Sequence, residues 1–432
     1  MNKNTFISDL LAGLTVSFAA LSLGAAFGTM SGRGAFAGMI GAAVIPIFTS
    51  LFGGTRIQAS GPTAPMTAVT ALIVAGAYDS FPDKIIAEQF ITLTILMSGF
   101  FMIIAGIVRL GKLISVVPNA VVLGFMNGIA VLIWYDQLVK LFGLAGKKVL
   151  EGGIIQNFLT GFCTLSLIFI FPVFIRKIGI PEKYRSFFSA ILITIILMTV
   201  IVNFTGLPVE RVSLGNTVSS VSEYFGLISS YFPDSRILTT ENLLKVIPLA
   251  LELTLLGYLD SLLTALVIDR LTKEKSILNK ELIAQGLGNA AAGFMQGIPG
   301  AQATIRSVLL VKEGAKTRLA GVFLGVFVLI FLIFFQGWIG LIPAAVFSGV
   351  LFKAGWDVCD REYTSAYLKQ NWIKSFNRNF QMFIILFTTL ITVIFDLNVA
   401  VISGTILFYT GKKLLGKYGI QDVEIEFEDE IE

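Results

Sequence analysis

The sequence contains no histidine. No imidazole can therefore serve as metal ligand, general base or proton relay. Charge is scarce too: 14% of the 432 residues are Asp, Glu, Lys or Arg, where a soluble domain carries about 25%. Only two cysteines occur, Cys163 in an apolar run and Cys359 beside a loop. Two thiols cannot build a zinc cluster, and these settings argue against a disulfide. No GxxxxGK[ST] run is present, which removes a phosphate loop for ATP hydrolysis. Soluble enzymes, secreted disulfide scaffolds and nucleic-acid-binding domains are excluded as readings of the whole chain.

What is present is apolar. Hydrophobic residues make up 55% of the chain, and the mean hydropathy is +0.83. Together with long apolar runs, this describes an all-α polytopic membrane protein. The runs fall at 8–30, 35–52, 62–77, 85–108, 114–139, 154–175, 186–206, 246–268, 281–297, 302–312, 318–336, 338–356, 379–396 and 398–412. About fourteen spans of ~20 residues leave only short loops. Lys3 before the first run resembles a signal peptide, but many further spans follow and no convincing cleavage site does. Assigned to alternate loops, roughly three-quarters of the 32 Lys and Arg fall on the side of the termini, which puts both termini in the cytoplasm. The expected location is the plasma (inner) membrane, in multi-pass form.

Two runs are misshapen. The third begins after Gly61-Pro62 and is interrupted at Pro65; the tenth follows Gly297-Ile298-Pro299-Gly300 and reaches Lys312 within about a dozen residues. Each is too short to cross ~30 Å of hydrocarbon as a helix. They stand seven runs apart, so the chain reads as two inverted seven-segment repeats, about 8–206 and 246–412. Short, Gly/Pro-broken spans at matching places of inverted halves point to a transporter site; the alternative is two ordinary re-entrant kinks. The segments 58–63 and 299–303 would each lead into a half-helix starting near mid-bilayer, and two facing helix starts make an anion site.

Charges inside the spans sharpen this. Asp260 lies within an apolar run, where a carboxylate is costly unless paired, protonated or ion-bound. Gly257, Asp260 and Thr264 share one helical stripe, offering room, a carboxylate and a hydroxyl for H+ or Na+; the alternative is a structural aspartate. Glu252 reads as an interfacial carboxylate. Arg306 stands in the first turn of the tenth span, opposing the helix dipole unless an anion balances it. That anion is either substrate or Asp260, so a competitive exchange and a permanent Arg306–Asp260 bridge both stay open. Phe27, in Gly24-Ala25-Ala26-Phe27-Gly28, and the run Gly124-Phe125-Met126-Asn127-Gly128 read first as close helix packing.

At these residues the sequence resembles the sulfate permease (SulP) family of anion transporters. The matching stretches are Leu51-Phe52-Gly53-Gly54, Ser60-Gly61-Pro62-Thr63-Ala64-Pro65, Gly124-Phe125 with Gly128-Ile129, and Leu256 to Thr264. Asn279-Lys280-Glu281-Leu282-Ile283-Ala284-Gln285-Gly286-Leu287-Gly288-Asn289 and Gly297-Ile298-Pro299 complete the set. The resemblance implies fourteen segments, a core domain moving against a gate domain, half-helices at segments 3 and 10, and a homodimer. It implies an anion held by Phe27, Thr63, Ala64, Gln302, Ala303 and Arg306, with Asp260 and Thr264 coupling transport to H+ or Na+. No other metal or cofactor is implied. An acid and an arginine at Asp260 and Arg306 are similar to sulfate/proton symporters. The Thr63-Ala64-Pro65-Met66 stretch and the Asp260–Thr264 pair are similar to the sodium-dependent bicarbonate branch. The arginine favours sulfate or a similar oxyanion with H+.

The chain also departs from the family. Ser22 stands where the first helix usually breaks at a proline, and Pro46 where a small residue is expected. A transmembrane domain over 1–412 and a short cytoplasmic acidic tail over 413–432 are expected, without the usual C-terminal STAS domain and its regulation. The tail alternates from Asp422 to Glu428, as either a disordered tail or a pairing strand. Three other functions fit less well. A nucleobase permease would want carboxylates or amides rather than Arg306, and an uncoupled channel gains nothing from Asp260. A membrane enzyme lacks any nucleophile–base set.

Overall fold

A computed structural model describes residues 3–144, 150–177, 190–211, 221–334, 340–369, 375–395, 397–415 and 420–423. The chain is mostly helical. In order, the elements are α1 (Lys3–Met30), α2 (Ala35–Phe52), β1 (Ser60–Gly61), α3 (Ala64–Ser80), α4 (Lys84–Ile107), a 3-10 turn (Leu110–Val116), α5 (Asn119–Phe142), α6 (Ile154–Lys177) and α7 (Ala190–Thr205). There follow α8 (Val221–Tyr231), α9 (Thr240–Thr272), α10 (Leu278–Phe294), β2 (Ala301–Gln302), α11 (Thr304–Lys312), α12 (Leu319–Phe334), α13 (Ala344–Val358), α14 (Glu362–Lys369), α15 (Phe376–Ile394) and α16 (Leu397–Leu414).

Each of the fourteen apolar runs overlaps one of these helices. Among the described residues, seven helices are long and apolar enough to cross a membrane. Helix α15 shows why such a fold needs lipid. Phe383, Leu386 and Leu390 are exposed along one stripe, Leu386 by 60%, while Gln381, Thr388 and Thr392 are buried. Apolar side chains outside and polar ones inside reverse the pattern of a soluble helix.

The local sequence sets the helix ends. The Asp83 carboxylate accepts from the Ile85 amide at 2.8 Å to start α4, and the Thr239 hydroxyl accepts from Asn242 at 3.3 Å to start α9. Both are N-caps that satisfy otherwise orphaned amides. Helix α1 is continuous through Ser22 to Met30, so the break that the family shows there is absent. Helix α2 likewise runs through Pro46. Helix α16 continues to Leu414, past the expected domain boundary at 412. The tail is not wholly disordered: Ile420 and Val423 are buried, and Asp422 accepts from the Asn119 and Ala120 amides at the start of α5, at 2.7 and 3.2 Å. The rest of the alternating stretch lies outside the described residues.

Packing sorts the helices into two groups. Helices α1 to α4 pack with α9 to α12, most extensively α10 on α4, α12 on α1 and α10 on α2. Helices α5, α6, α7, α13, α15 and α16 pack mainly among themselves. Within the second group, Gly124 and Gly128 of α5 sit against Thr388 and Thr392 of α15, which is the close packing that run suggests. A core of buried residues joins the groups and includes Leu309 and Leu310 of α11, Ile195 of α7, and Val346 and Val350 of α13. Cys163 and Cys359 are free thiols.

Candidate functional site

The two breaks in the chain meet. Strands β1 and β2 pair antiparallel with Ser60 opposite Gln302 and Gly61 opposite Ala301. The Ala303 amide adds a 3.0 Å bond to the Ala59 carbonyl. This two-residue ladder is buried, which meets the rule that irregular backbone at membrane depth survives only inside protein or beside a cavity.

Immediately after the ladder, both strands turn into helices. Thr63 precedes α3 and Ala303 precedes α11, each in extended conformation and neither capped by a side chain. Pro65 stands in the first turn of α3, a position that tolerates its missing N–H. The first intrahelical bonds run from Thr67 to the Thr63 carbonyl and from Ser307 to the Ala303 carbonyl, both 2.9 Å. The amides before them form the positive ends of the two helices. Helix α11 has nine residues, which at 1.5 Å each span only about 14 Å.

Around these starts lie polar groups without partners inside the protein. Arg306 is 1% exposed; its Nη2 donates to the Pro62 carbonyl at 2.9 Å, while Nε and Nη1 make no hydrogen bond. Gln302 Nε2 is buried and equally unpartnered; Thr63 Oγ1 is buried beside the Asp260 carboxyl without a hydrogen bond of normal geometry. The Gln302 amide donates to Ser261 Oγ at 3.1 Å, which docks the second break on α9. Thr63 and Ala303 are each 9% exposed, and Ala64 is exposed.

Asp260, one residue before Ser261 on α9, has Thr63 and Arg306 as its polar neighbours. Its Oδ2 is buried without a hydrogen bond. Among the described residues no ion pair joins it to Arg306, so the permanent bridge is not formed. The flexible end of the Met102 side chain lies against Gly257. The Thr264 hydroxyl lies 2.6 Å from that of Thr304, which ties α9 to the first residue of α11. Phe27 sits half-buried in the last turn of α1, a helix that packs on both α3 and α11.

The structure therefore brings Thr63, Gln302, Ala303, Arg306 and Asp260 to one crossing, with Thr264 joined through Thr304. Reasoning from residues missed Thr304 and the supporting side chains Ser261 and Ser307. Ser307 Oγ accepts from the Ala59 amide at 3.0 Å. For Thr304 and Ser307, a hydroxyl in the first turn of a broken span was the available signal.

A buried crossing of two uncapped helix starts, in a multi-helical chain with apolar outer faces, is the arrangement that broken-helix transporter sites use. The chain belongs to the sulfate permease family, whose model matches residues 6–385. It is 34% identical over 363 residues to the bicarbonate transporter BicA of a Picosynechococcus strain, covering 82% of this chain and 62% of that protein. It is 29% identical over 416 residues to the putative sulfate transporter YvdB of Bacillus subtilis, covering 94% and 74% respectively. The chain thus spans less than two thirds of the length of the first of these relatives. The solved transmembrane domain of a cyanobacterial BicA superposes with a TM-score of 0.63 at 28% identity, over 93% of this chain and 98% of that domain. Murine Solute Carrier 26 family member A9, in its inward-facing state, shares the fold with a TM-score of 0.60 at 16% identity, over 96% of this chain and 69% of that one.

Proposed function

We propose that the chain is a secondary active transporter of a small inorganic anion, sulfate or a similar oxyanion, coupled to H+ by symport. One observation carries the reading: Arg306 is buried at an uncapped helix start with Nε and Nη1 unpartnered. A buried guanidinium with unmet donors is costly unless an anion completes it. Thr63 Oγ1, Gln302 Nε2 and the amides of α3 and α11 supply further donors. Asp260 faces the same arginine, so anion binding and protonation of the carboxyl are linked. In this reading α3 and α11 are half-helices in two inverted seven-segment repeats. The group containing α1 to α4 and α9 to α12 is a core domain that moves against the remaining helices as a gate. A homodimer in the inner membrane, with cytoplasmic termini, belongs to the same proposal.

A second reading, sodium-dependent bicarbonate symport, is favoured by the similarity to BicA and by the Thr264–Thr304 hydroxyl pair near Asp260. Radiolabelled sulfate and bicarbonate uptake into proteoliposomes, with H+ and Na+ gradients imposed separately, tests both. Sulfate uptake driven by inward H+ supports the first; bicarbonate uptake that requires Na+ supports the second and makes Asp260 a sodium ligand. Absence of both overturns the anion assignment.

A further inference from the structure

Helix α10 presents three polar side chains, Glu281, Gln285 and Asn289, at four-residue intervals, so they form one stripe along the helix. All three are buried. Glu281 Oε2 accepts from the Gly54 and Thr55 amides, both at 2.8 Å, and from Gln58 Nε2 at 3.0 Å. Gln285 Nε2 donates to Glu281 Oε1 at 2.9 Å and to Ser60 Oγ at 2.7 Å. These two residues therefore grip the first break from its beginning to β1. A methyl on Gly54 would collide with the Ile277 carbonyl, so the backbone there lies directly against the start of α10.

Asn289 grips the second break. Its Nδ2 donates to the Gly300 carbonyl at 2.8 Å, and its Oδ1 accepts from the Gly300 amide at 2.7 Å. The side-chain amide thus replaces a strand partner for the residue just before β2. One rigid helix holds both extended segments, and each segment leads into one of the two uncapped helix starts.

We propose that α10 positions the binding site: Glu281 and Gln285 hold the first break and Asn289 the second, so their spacing along one helix sets the separation of the two helix starts. These are positioning residues, acting through Ser60 and Gly300 rather than by touching the ligand. The proposal rests on the anion reading for what the site binds, but not for which groups hold it in place.

The test compares Asn289→Leu with Thr254→Val in proteoliposomes. The first removes both bonds to Gly300 at similar side-chain volume. The second removes a buried hydroxyl, which donates to Ser98 and Ala250 away from the breaks. Hydrogen–deuterium exchange and uptake kinetics are read on protein that elutes as a single species. Asn289→Leu should speed exchange in residues 298–303 and raise KM for the transported anion about tenfold, with Vmax changed much less. Thr254→Val should do neither. An unchanged KM in folded Asn289→Leu overturns the positioning role, as does an equal rise in Thr254→Val. If the wild type takes up neither sulfate nor bicarbonate, the anion reading falls and exchange alone decides: unchanged exchange at 298–303 overturns the proposal, and a local increase supports it. Should Asn289→Leu fail to fold, Gln285→Met carries the same test on residues 58–63.

Discussion

Gly61 lies directly against Arg306: a methyl group added to the glycine would stand 2.8 Å from Nη1 and 3.1 Å from Nη2. The glycine also holds φ at +143°, a conformation that other residues adopt only with strain. Its place in β1 and its closeness to the guanidinium therefore depend on the same missing side chain. Gly61→Ala should lose about 1–3 kcal/mol of stability and displace Arg306. Thermal unfolding in detergent reads the first effect and anion KM the second. A KM equal to wild type would show that Arg306 tolerates the shift.

Asp260→Asn should abolish uptake driven by an ion gradient while leaving exchange of internal for external anion. The carboxyl has Arg306 and Thr63 as its polar neighbours, and the amide keeps their geometry without accepting a proton or a cation. Full concentrative uptake by this variant would remove Asp260 from the coupling role.

Arg306→Ala should lose oxyanion binding, because Nε and Nη1 have no other employment in the protein. Removing the guanidinium also takes away an opposing charge that acts on the buried Asp260 carboxyl, so a loss of stability is expected as well. Asp260→Asn combined with Arg306→Ala should then be more stable than Arg306→Ala alone. Equal stability of the two would mean that the carboxyl and guanidinium act independently. Unchanged anion affinity in Arg306→Ala would make the residue structural.

The places of the helices and of both breaks were legible in the sequence, because apolar runs and Gly-Pro interruptions are local signals. The runs at 62–77 and 302–312 begin within two residues of α3 and α11. What joins the breaks was not legible. The pairing of Ser60 with Gln302 is between residues far apart in the chain, and no local pattern announces it. Glu281, Gln285 and Asn289 stand inside a stretch that resembles a family signature, and their four-residue spacing defines a helix face without saying which segments that face supports. The contact of the Thr264 hydroxyl with Thr304, a residue in the broken segment across from it, likewise has no local signal. The short helices α8 and α14 lie outside every apolar run, since each is too short and too polar to register as a span.

Arg270, at the end of α9, and Asp360, just after α13, form an ion pair of 3.8 Å between the two helix groups. Asn127 of α5 holds Asp360 in place by accepting from its amide at 2.8 Å. Both side chains are largely buried, so breaking the pair costs more than at a surface. Asp360→Asn should lower stability by about 3 kcal/mol and change the maximal uptake rate more than KM, because the pair joins the groups rather than lining the crossing. A change confined to KM would argue against a link between moving parts.

Asp422 is the last acidic residue among the described residues. Its carboxylate accepts from the Asn119 and Ala120 amides, and Asn119 Nδ2 returns a bond to the Val423 carbonyl at 2.9 Å. Pro118, the backbone residue at the cap position of α5, offers no side-chain acceptor, so the cap comes from the far end of the chain. Asp422→Ala should cost about 1 kcal/mol, read as a lower unfolding temperature, and Asp422→Asn should cost less because its carbonyl oxygen still accepts. Since α5 packs mainly against α13 and α15, neither substitution should alter KM for the anion. A rise in KM on loss of this cap would mean that the end of the chain reaches the binding site through the second helix group.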